Sequence, residues 1–421
     1  MPDNAQQKKQ ILGRPQQAVF RFAAELRETC RAELQNVLSS PASPEKFKPV
    51  LSADDPELRV ENLSFRALME LTYRLRTFRD ILWIVGQGRA GSVAEIRSRT
   101  TKVPWGLLLA PGRSIKLRVH SERSRVKHEG LLEVTVREIL VEQGYSVVSG
   151  TDFEQKLDVR LVHNQLQLAL SLSGETLSHR HYKTMLTGAA PIKEDLAAAL
   201  IKQTADWTKA GSPSLVYVPF AGTGTLGFES VLYFQNLWPS VFRMDYALDK
   251  LTCTPAATRA HLQKCAAQAT SADTLPVHFV EKSPSTAQVL RQNCAHFEKR
   301  LNERCAAHPA RLSCEAGDFF RASLPERPGQ HVFVPLNPPF GDRLGERSSN
   351  TKLYRRICAR VLELAETNRS TRVSGFILAP TIAEADVSER SLEKFRTLRA
   401  PIRHGGRRIF SISFDSAGYT D

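Results

Sequence analysis

Two short stretches hold residue types whose spacing could do chemistry. The first, Asn337-Pro338-Pro339-Phe340-Gly341, follows directly on the apolar run Val332-Phe333-Val334-Pro335-Leu336. Two prolines hold the backbone in an extended turn. That leaves the Asn337 side-chain oxygen and a neighbouring backbone carbonyl as acceptors aimed at one point. An exocyclic amino group carries two N–H donors and would satisfy both, with Phe340 available to stack on the ring plane of an extruded base. The second, Val218-Pro219-Phe220-Ala221-Gly222-Thr223-Gly224-Thr225, sits where an apolar strand should give way to a helix. Gly222 and Gly224 lack Cβ, so the chain turns sharply there and comes close to a ligand. The spacing is not that of a phosphate-binding P-loop, and no lysine follows. A lone Gly-Thr-Gly also serves an ordinary tight turn, and Asn-Pro-Pro can be only a turn.

Taken together, the two stretches suit methyl transfer to an amine. An amine held by two acceptors keeps its lone pair directed at an electrophile such as a sulfonium methyl. Catalysis is then mostly positioning and charge complementarity. Glu281 closes a second apolar run and is placed to accept from ribose hydroxyls, as acids do in dinucleotide-binding folds; a surface acid would look the same. Asp318, expected after the third strand, could accept from an adenine amine or simply cap a helix. No metal-ligand set and no Ser/His/Asp constellation competes with this chemistry.

These residues need a frame. Strands are expected at 214–219, 276–281, 331–336, 372–379 and 407–414, with helices at 225–237, 284–304, 350–367 and 388–397. Such alternation implies a parallel, doubly wound α/β sheet, with ligands at the carboxyl ends of its strands. Ahead of it the texture is different. Residues 1–16 are polar and read as flexible; 17–38 read as a strand entering an amphipathic helix, and Pro41, Ser43 and Pro44 mark a turn-rich break. Residues 64–82 have helical apolar spacing, 114–120 alternate as a strand, and 129–143 suit a helix ending at Gly144. Residues 157–163 and 166–172 form a hairpin pattern.

The chain has 421 residues, with 58 Lys plus Arg against 44 Asp plus Glu, a formal charge of +14. At roughly 100 to 200 residues per domain, two or three domains are expected. A basic excess favours a polyanionic partner, although a soluble protein with a basic bias has the same composition. Arg113, Lys116, Arg118, Arg123, Arg125 and Lys127 lie within fifteen residues and are the candidate nucleic-acid contacts. Seven cysteines without a C-x-x-C pair speak for reduced intracellular thiols rather than zinc or a disulfide framework. No apolar run is long enough for a membrane span. The amino-terminal residues lack a signal-peptide core; a mitochondrial leader is opposed by Asp3, Glu25, Glu28 and Glu33.

From about Phe20 to about Phe414 the order of features resembles the THUMP-containing RNA methyltransferases, above all the bacterial large-subunit rRNA guanine-N2 methyltransferases. The resemblance rests on the stretches at 172–183 and 190–201, on the glycine loop, on the Asn-Pro-Pro-Phe motif with its trailing segment, and on 353–357. It implies a Rossmann-like class I methyltransferase domain over 193–421, a ferredoxin-like plus THUMP module over 17–175, and a junction over 176–192. It implies S-adenosylmethionine as cofactor, held by Pro219, Phe220, Gly222, Gly224, Thr225, Glu281 and Asp318. Asn337, Pro338, Pro339 and Phe340 would recognise a guanine N2 amine. The partner would be rRNA or an assembling ribosomal subunit, or tRNA, in the cytoplasm or a mitochondrion. The sequence departs from the family at Val218, usually Asp, and at Phe279, usually Gly. Those departures leave open an RNA-binding ribosome-assembly factor without turnover.

Overall fold

The computed structural model describes residues 4–40, 42, 48–51, 57–185, 191–268, 273–305, 310–323, 330–339, 347–367 and 371–417. The chain divides into two compact units. One comprises Met1–Phe22, Arg31–His179 and Met244–Cys265; the other comprises Ala23–Cys30, Arg180–Arg243 and Ala266–Asp421.

The first unit is built on eight strands: β1 (Gln16–Phe22), β2 (Val50–Leu51), β3 (Leu58–Leu63), β4 (Phe78–Arg89), β5 (Ser114–Glu122), β6 (Ser146–Val148), β7 (Gln155–Val162) and β8 (Gln165–Ser171). Their order is β2-β3-β1-β4-β8-β7-β5-β6. The β7–β8 hairpin forms as its alternation requires, with His163 and Asn164 both at positive φ in the two-residue turn. Two expectations fail here. Residues 4–13 are helical rather than loose. The helix expected over 64–82 runs only from Phe65 to Arg74, capped by Ser64, and 78–82 begin β4. The run Ile81-Leu82-Trp83-Ile84-Val85 is β-branched and aromatic, and its pairing with β1 and β8 overrides the helical spacing. The stretch Met244–Cys265 belongs to this unit. Its Tyr246 meets Tyr73 edge to face at 5.1 Å, and the Leu248 amide donates to the Leu172 carbonyl at 2.9 Å.

The second unit carries β9 (Leu215–Pro219), β10 (Leu275–Glu281), β11 (Ala310–Ala316), β12 (His331–Leu336), β13 (Arg372–Ala379), β14 (Arg396–His404) and β15 (Arg407–Asp415), in the order β11-β10-β9-β12-β13-β15-β14. Strands β9 to β13 pair in parallel, and β15 runs antiparallel to β13 and β14. This is the expected doubly wound α/β sheet, and strand order reverses between β9 and β12. The helix expected at 388–397 is instead Ile382–Ser391. Thr381 caps its start, since its hydroxyl accepts from the Ala383 amide, and the chain enters β14 at Arg396. Strand β11, half-buried and polar at the sheet edge, carries no apolar run to announce it.

Tight packing keeps the carboxyl ends of these strands in register. Val334 and Gly375 face each other on β12 and β13, and a Cβ on Gly375 would stand 2.0 Å from the Val334 carbonyl oxygen. Where β12 begins, the His331 ring lies 2.8 Å from the Ser374 hydroxyl. Burial and the Arg372 guanidinium push its imidazole down to about 4. A base whose folded pKa lies below its unfolded value of 6.5 favours the native state above that pH, and this contribution is lost as pH falls through about 4. The melting temperature should therefore fall on acidification across that window, and His331→Gln should flatten the dependence in a pH series of thermal melts. An unchanged slope would show that His331 titrates as in the unfolded chain.

Candidate active site

The loops that leave β9, β10 and β11 are tied to one another by backbone. The Ala221 amide donates to the Val280 carbonyl at 3.1 Å, and the Gly317 amide donates to the Glu281 carbonyl at 3.0 Å. The glycine loop is strongly curved, with positive φ at Phe220 (52°), Gly222 (54°) and Gly224 (98°). A Cβ on Gly224 would come within 2.6 Å of the Phe228 ring, whereas at Gly222 it would meet nothing within 4 Å. Gly224 is thus required by packing, and Gly222 leaves space open. Phe220 is a non-glycine residue in the left-handed region, a conformation with a steric cost that the surroundings must offset. Its ring packs edge-on against Phe319, 5.3 Å away.

These loops and the end of β12 enclose a cavity of about 720 Å³. Phe220, Gly222, Glu281, Asp318, Asn337, Pro338 and Pro339 line it, as the sequence reading requires of a common site. Three further residues expected at the cofactor, Pro219, Gly224 and Thr225, do not line it. Pro219 pairs with Val280 inside the sheet, Gly224 caps the following helix, and the Thr225 hydroxyl accepts from the Lys183 ammonium at 3.0 Å. Phe340 lies outside the described residues. Thr223, Lys282, Phe320, Arg356 and His404 also line the cavity. Of these, Thr223 had a signal in the sequence as part of the glycine motif, and Arg356 as part of the stretch 353–357.

The polar groups are arranged for a ligand rich in donors. Glu281 accepts from the Gly222 and Ser283 amides, one on each oxygen at 2.9 Å, so each oxygen keeps a lone pair. Partial burial alone would raise the Asp318 carboxyl. The Lys282 ammonium at 3.0 Å and the Phe320 amide outweigh it and hold the group below the ordinary carboxylate range. The Arg356 guanidinium stacks over the Phe320 ring at 4.1 Å. Two buried atoms of the lining, Asn337 Oδ1 and Thr223 Oγ1, have no hydrogen-bond partner among the described residues. A buried polar group left so costs on the order of 1–3 kcal/mol unless something else satisfies it.

A profile described as UPF0020, RMKL-like methyltransferase domain, matches residues 180–397. The chain belongs to this RMKL-like methyltransferase family. The ribosomal RNA large subunit methyltransferase K/L of Acinetobacter baylyi is 28% identical over 308 residues, covering 70% of this chain and 39% of that protein. The protein of the same name from Dichelobacter nodosus is 26% identical over 322 residues, covering 70% and 42%. The chain thus spans about two fifths of the length of these relatives. In fold it is similar to SMU.472, assigned as a methyltransferase and solved in complex with SAH, with a TM-score of 0.72, 18% identity and coverage of 95% of this chain and 98% of that one. TrmN from Thermus thermophilus gives a TM-score of 0.63 at 14% identity, covering 95% and 99%.

Both departures from the family pattern have structural readings. Phe279 is fully buried, and its ring fills the space that Gly227 leaves: a Cβ on Gly227 would lie 2.2 Å from it. Val218 is fully buried beside it in the β9–β10 pair. The carboxylates lining the cavity among the described residues are therefore Glu281 and Asp318.

Of the six candidate nucleic-acid contacts, Arg113 directly precedes β5, Lys116 and Arg118 lie on it, and Arg123, Arg125 and Lys127 follow it. Arg113 pairs with Glu154, Lys116 lies over the Phe153 ring at 5.4 Å, and Arg118 is 3.9 Å from Asp158. Ser124 and Val126 turn inward, which leaves Arg123, Arg125 and Lys127 exposed. The loop is pinned by the Asn164 side chain, which accepts from the Arg125 amide at 2.8 Å.

The carboxylate of Glu281 is the keystone of the glycine loop. Glu281→Gln offers one acceptor oxygen where two are needed. Amide exchange at Gly222 or Ser283 is therefore expected to rise about tenfold, the equivalent of one lost hydrogen bond. Unchanged protection at both amides would show that other bonds hold the loop.

Proposed function

We propose that this chain transfers a methyl group from S-adenosylmethionine to the exocyclic N2 amine of a guanine in structured RNA, with large-subunit rRNA as the substrate. The observation that carries the reading is the unpartnered, buried Asn337 Oδ1 at the end of β12, held by Pro338 and Pro339 on the wall of a cavity that also contains Glu281 and Asp318.

The lining residues fit the cofactor. Glu281 has lone pairs left for two ribose hydroxyls, Asp318 is ionised and can accept from an adenine amine, and Gly222 gives backbone room. S-adenosylmethionine supplies an electrophilic methyl on its sulfonium sulfur when bound. Asn337 Oδ1 and the adjacent backbone carbonyl accept the two N–H bonds of the target amine, which fixes the direction of its lone pair. These acceptors also stabilise the positive charge that grows on nitrogen, which is where a preorganised site contributes most. The protein needs no strong base, because the amine becomes acidic once alkylated and its proton can leave to solvent. Phe340 stacks on the base in this reading. The names of the K/L relatives support rRNA as substrate, within the limit that this chain matches only part of their length. The eight-stranded unit is the RNA-binding, THUMP-type module, with Arg123, Arg125 and Lys127 meeting phosphates; such contacts position an RNA without reading its sequence.

A second reading has one observation behind it. Val218 contributes no carboxylate toward the cofactor's amino group, as expected of an RNA-binding assembly factor that has lost turnover. Calorimetry and labelling separate the two. Wild-type protein is expected to bind S-adenosylmethionine and label deproteinised rRNA. Asn337→Ala should lower turnover by about two orders of magnitude, a loss comparable to removing one preorganised group, with cofactor affinity nearly unchanged. Folded wild-type protein that binds no cofactor would transfer the case to the assembly factor.

A further inference from the structure

Beneath the glycine loop lies a polar clamp that the chemistry described above does not use. Asn293 sits in the middle of the helix Pro284–Arg304 and is fully buried. A buried amide in a helix interior is costly unless its bonds are made, and here all four are. Its Oδ1 accepts from the Thr184 amide at 3.1 Å and the Met185 amide at 3.2 Å. Its Nδ2 donates to the Met185 carbonyl at 3.1 Å and the Thr223 carbonyl at 3.2 Å. One side chain therefore joins three stretches of backbone: its own helix, the segment 184–185, and the glycine loop at Thr223. The neighbouring residues of that segment are anchored just as firmly. Lys183 donates to Thr225 at 3.0 Å and pairs with Glu194 at 2.7 Å, and the Tyr182 hydroxyl donates to the fully buried Glu229 at 2.8 Å.

At Thr223 this clamp reaches the cavity. The Thr223 carbonyl is taken by Asn293, while Thr223 lines the cavity and its hydroxyl is buried without a partner among the described residues. Fixing the carbonyl fixes the peptide plane that follows Thr223, and with it the place from which the side chain leaves the backbone. We infer that Asn293 is a positioning residue for cofactor binding: by holding the Thr223 carbonyl from behind, it keeps the Thr223 hydroxyl aimed into the cavity as a donor to an acceptor group of the cofactor. This rests on the reading of the cavity as the S-adenosylmethionine site.

The test is a double-mutant cycle read by calorimetric titration with S-adenosylhomocysteine, with the melting temperature of each ligand-free variant alongside. Thr223→Val removes the hydroxyl and keeps the shape. Asn293→Asp keeps the acceptor for the 184 and 185 amides but turns the donor facing Thr223 into an acceptor; Asn293→Ala removes the clamp. Each single change is expected to weaken binding about tenfold, the worth of one hydrogen bond. The pair Asn293→Asp with Thr223→Val should bind no more weakly than the weaker single variant, because Asn293 acts through Thr223. Losses that multiply would overturn the inference, since a residue that merely stabilises the domain does not need Thr223 to exert its effect. Wild-type affinity in folded Asn293→Asp would overturn it too, while leaving the cofactor site intact. Wild-type protein that binds no S-adenosylhomocysteine would instead bring down the reading of the cavity and this inference with it. Should Asn293→Ala fail to fold, the near-isosteric aspartate variant carries the cycle alone.

Discussion

The Asn337 amide oxygen is buried at the end of β12 with no donor among the described residues. Pro338 and Pro339 have no N–H to offer and restrict the backbone to an extended turn. The strand that delivers Asn337 is the one at which sheet order reverses, next to the glycine loop of β9. In an open α/β sheet this is where a crevice must form, because the connections on either side depart to opposite faces. An acceptor left without a partner in such a crevice has a free-energy cost. An N–H brought by a ligand would offset that cost.

The rest of the second unit holds that crevice to its dimensions. The curved glycine loop is pinned in front by Glu281 and behind by Asn293, so it is determined from two sides and tolerates the positive φ at Phe220. Phe279 and Gly227 exchange volume across the strand–helix interface, which preserves packing where the family usually has a glycine. Val218 is different in kind. It is apolar and fully buried where the family resemblance implies Asp, and among the described residues Glu281 and Asp318 are the carboxylates that line the cavity.

The sequence made the central sheet legible because β9, β12 and β13 are almost wholly buried and β10 is mostly so, and short apolar runs mark all four. What it concealed is what tertiary contact decides. Strands β11 and β14 lie at the two edges, half-buried and rich in polar residues, so neither shows an apolar run. Residues 78–82 share helical spacing with the preceding turn, and only pairing with β1 and β8 makes them a strand. In the site, Gly222, Glu281 and Asn337 were legible from motifs with a mechanical reason behind them. Asn293 and His404 were not, since each belongs to an element whose own sequence pattern is ordinary.

The most direct test of this account is chemical and lies in the substrate. Inosine is guanosine without the N2 amine, so an rRNA transcript made with inosine in place of guanosine keeps the backbone and removes the one group that Asn337 is held to receive. Incubated with wild-type protein and methyl-labelled S-adenosylmethionine, the guanosine transcript should take up label that digests to N2-methylguanosine, and the inosine transcript should take up none. Equal labelling of both transcripts would mean that the methyl goes elsewhere and that the unpartnered Asn337 oxygen is not an amine receptor.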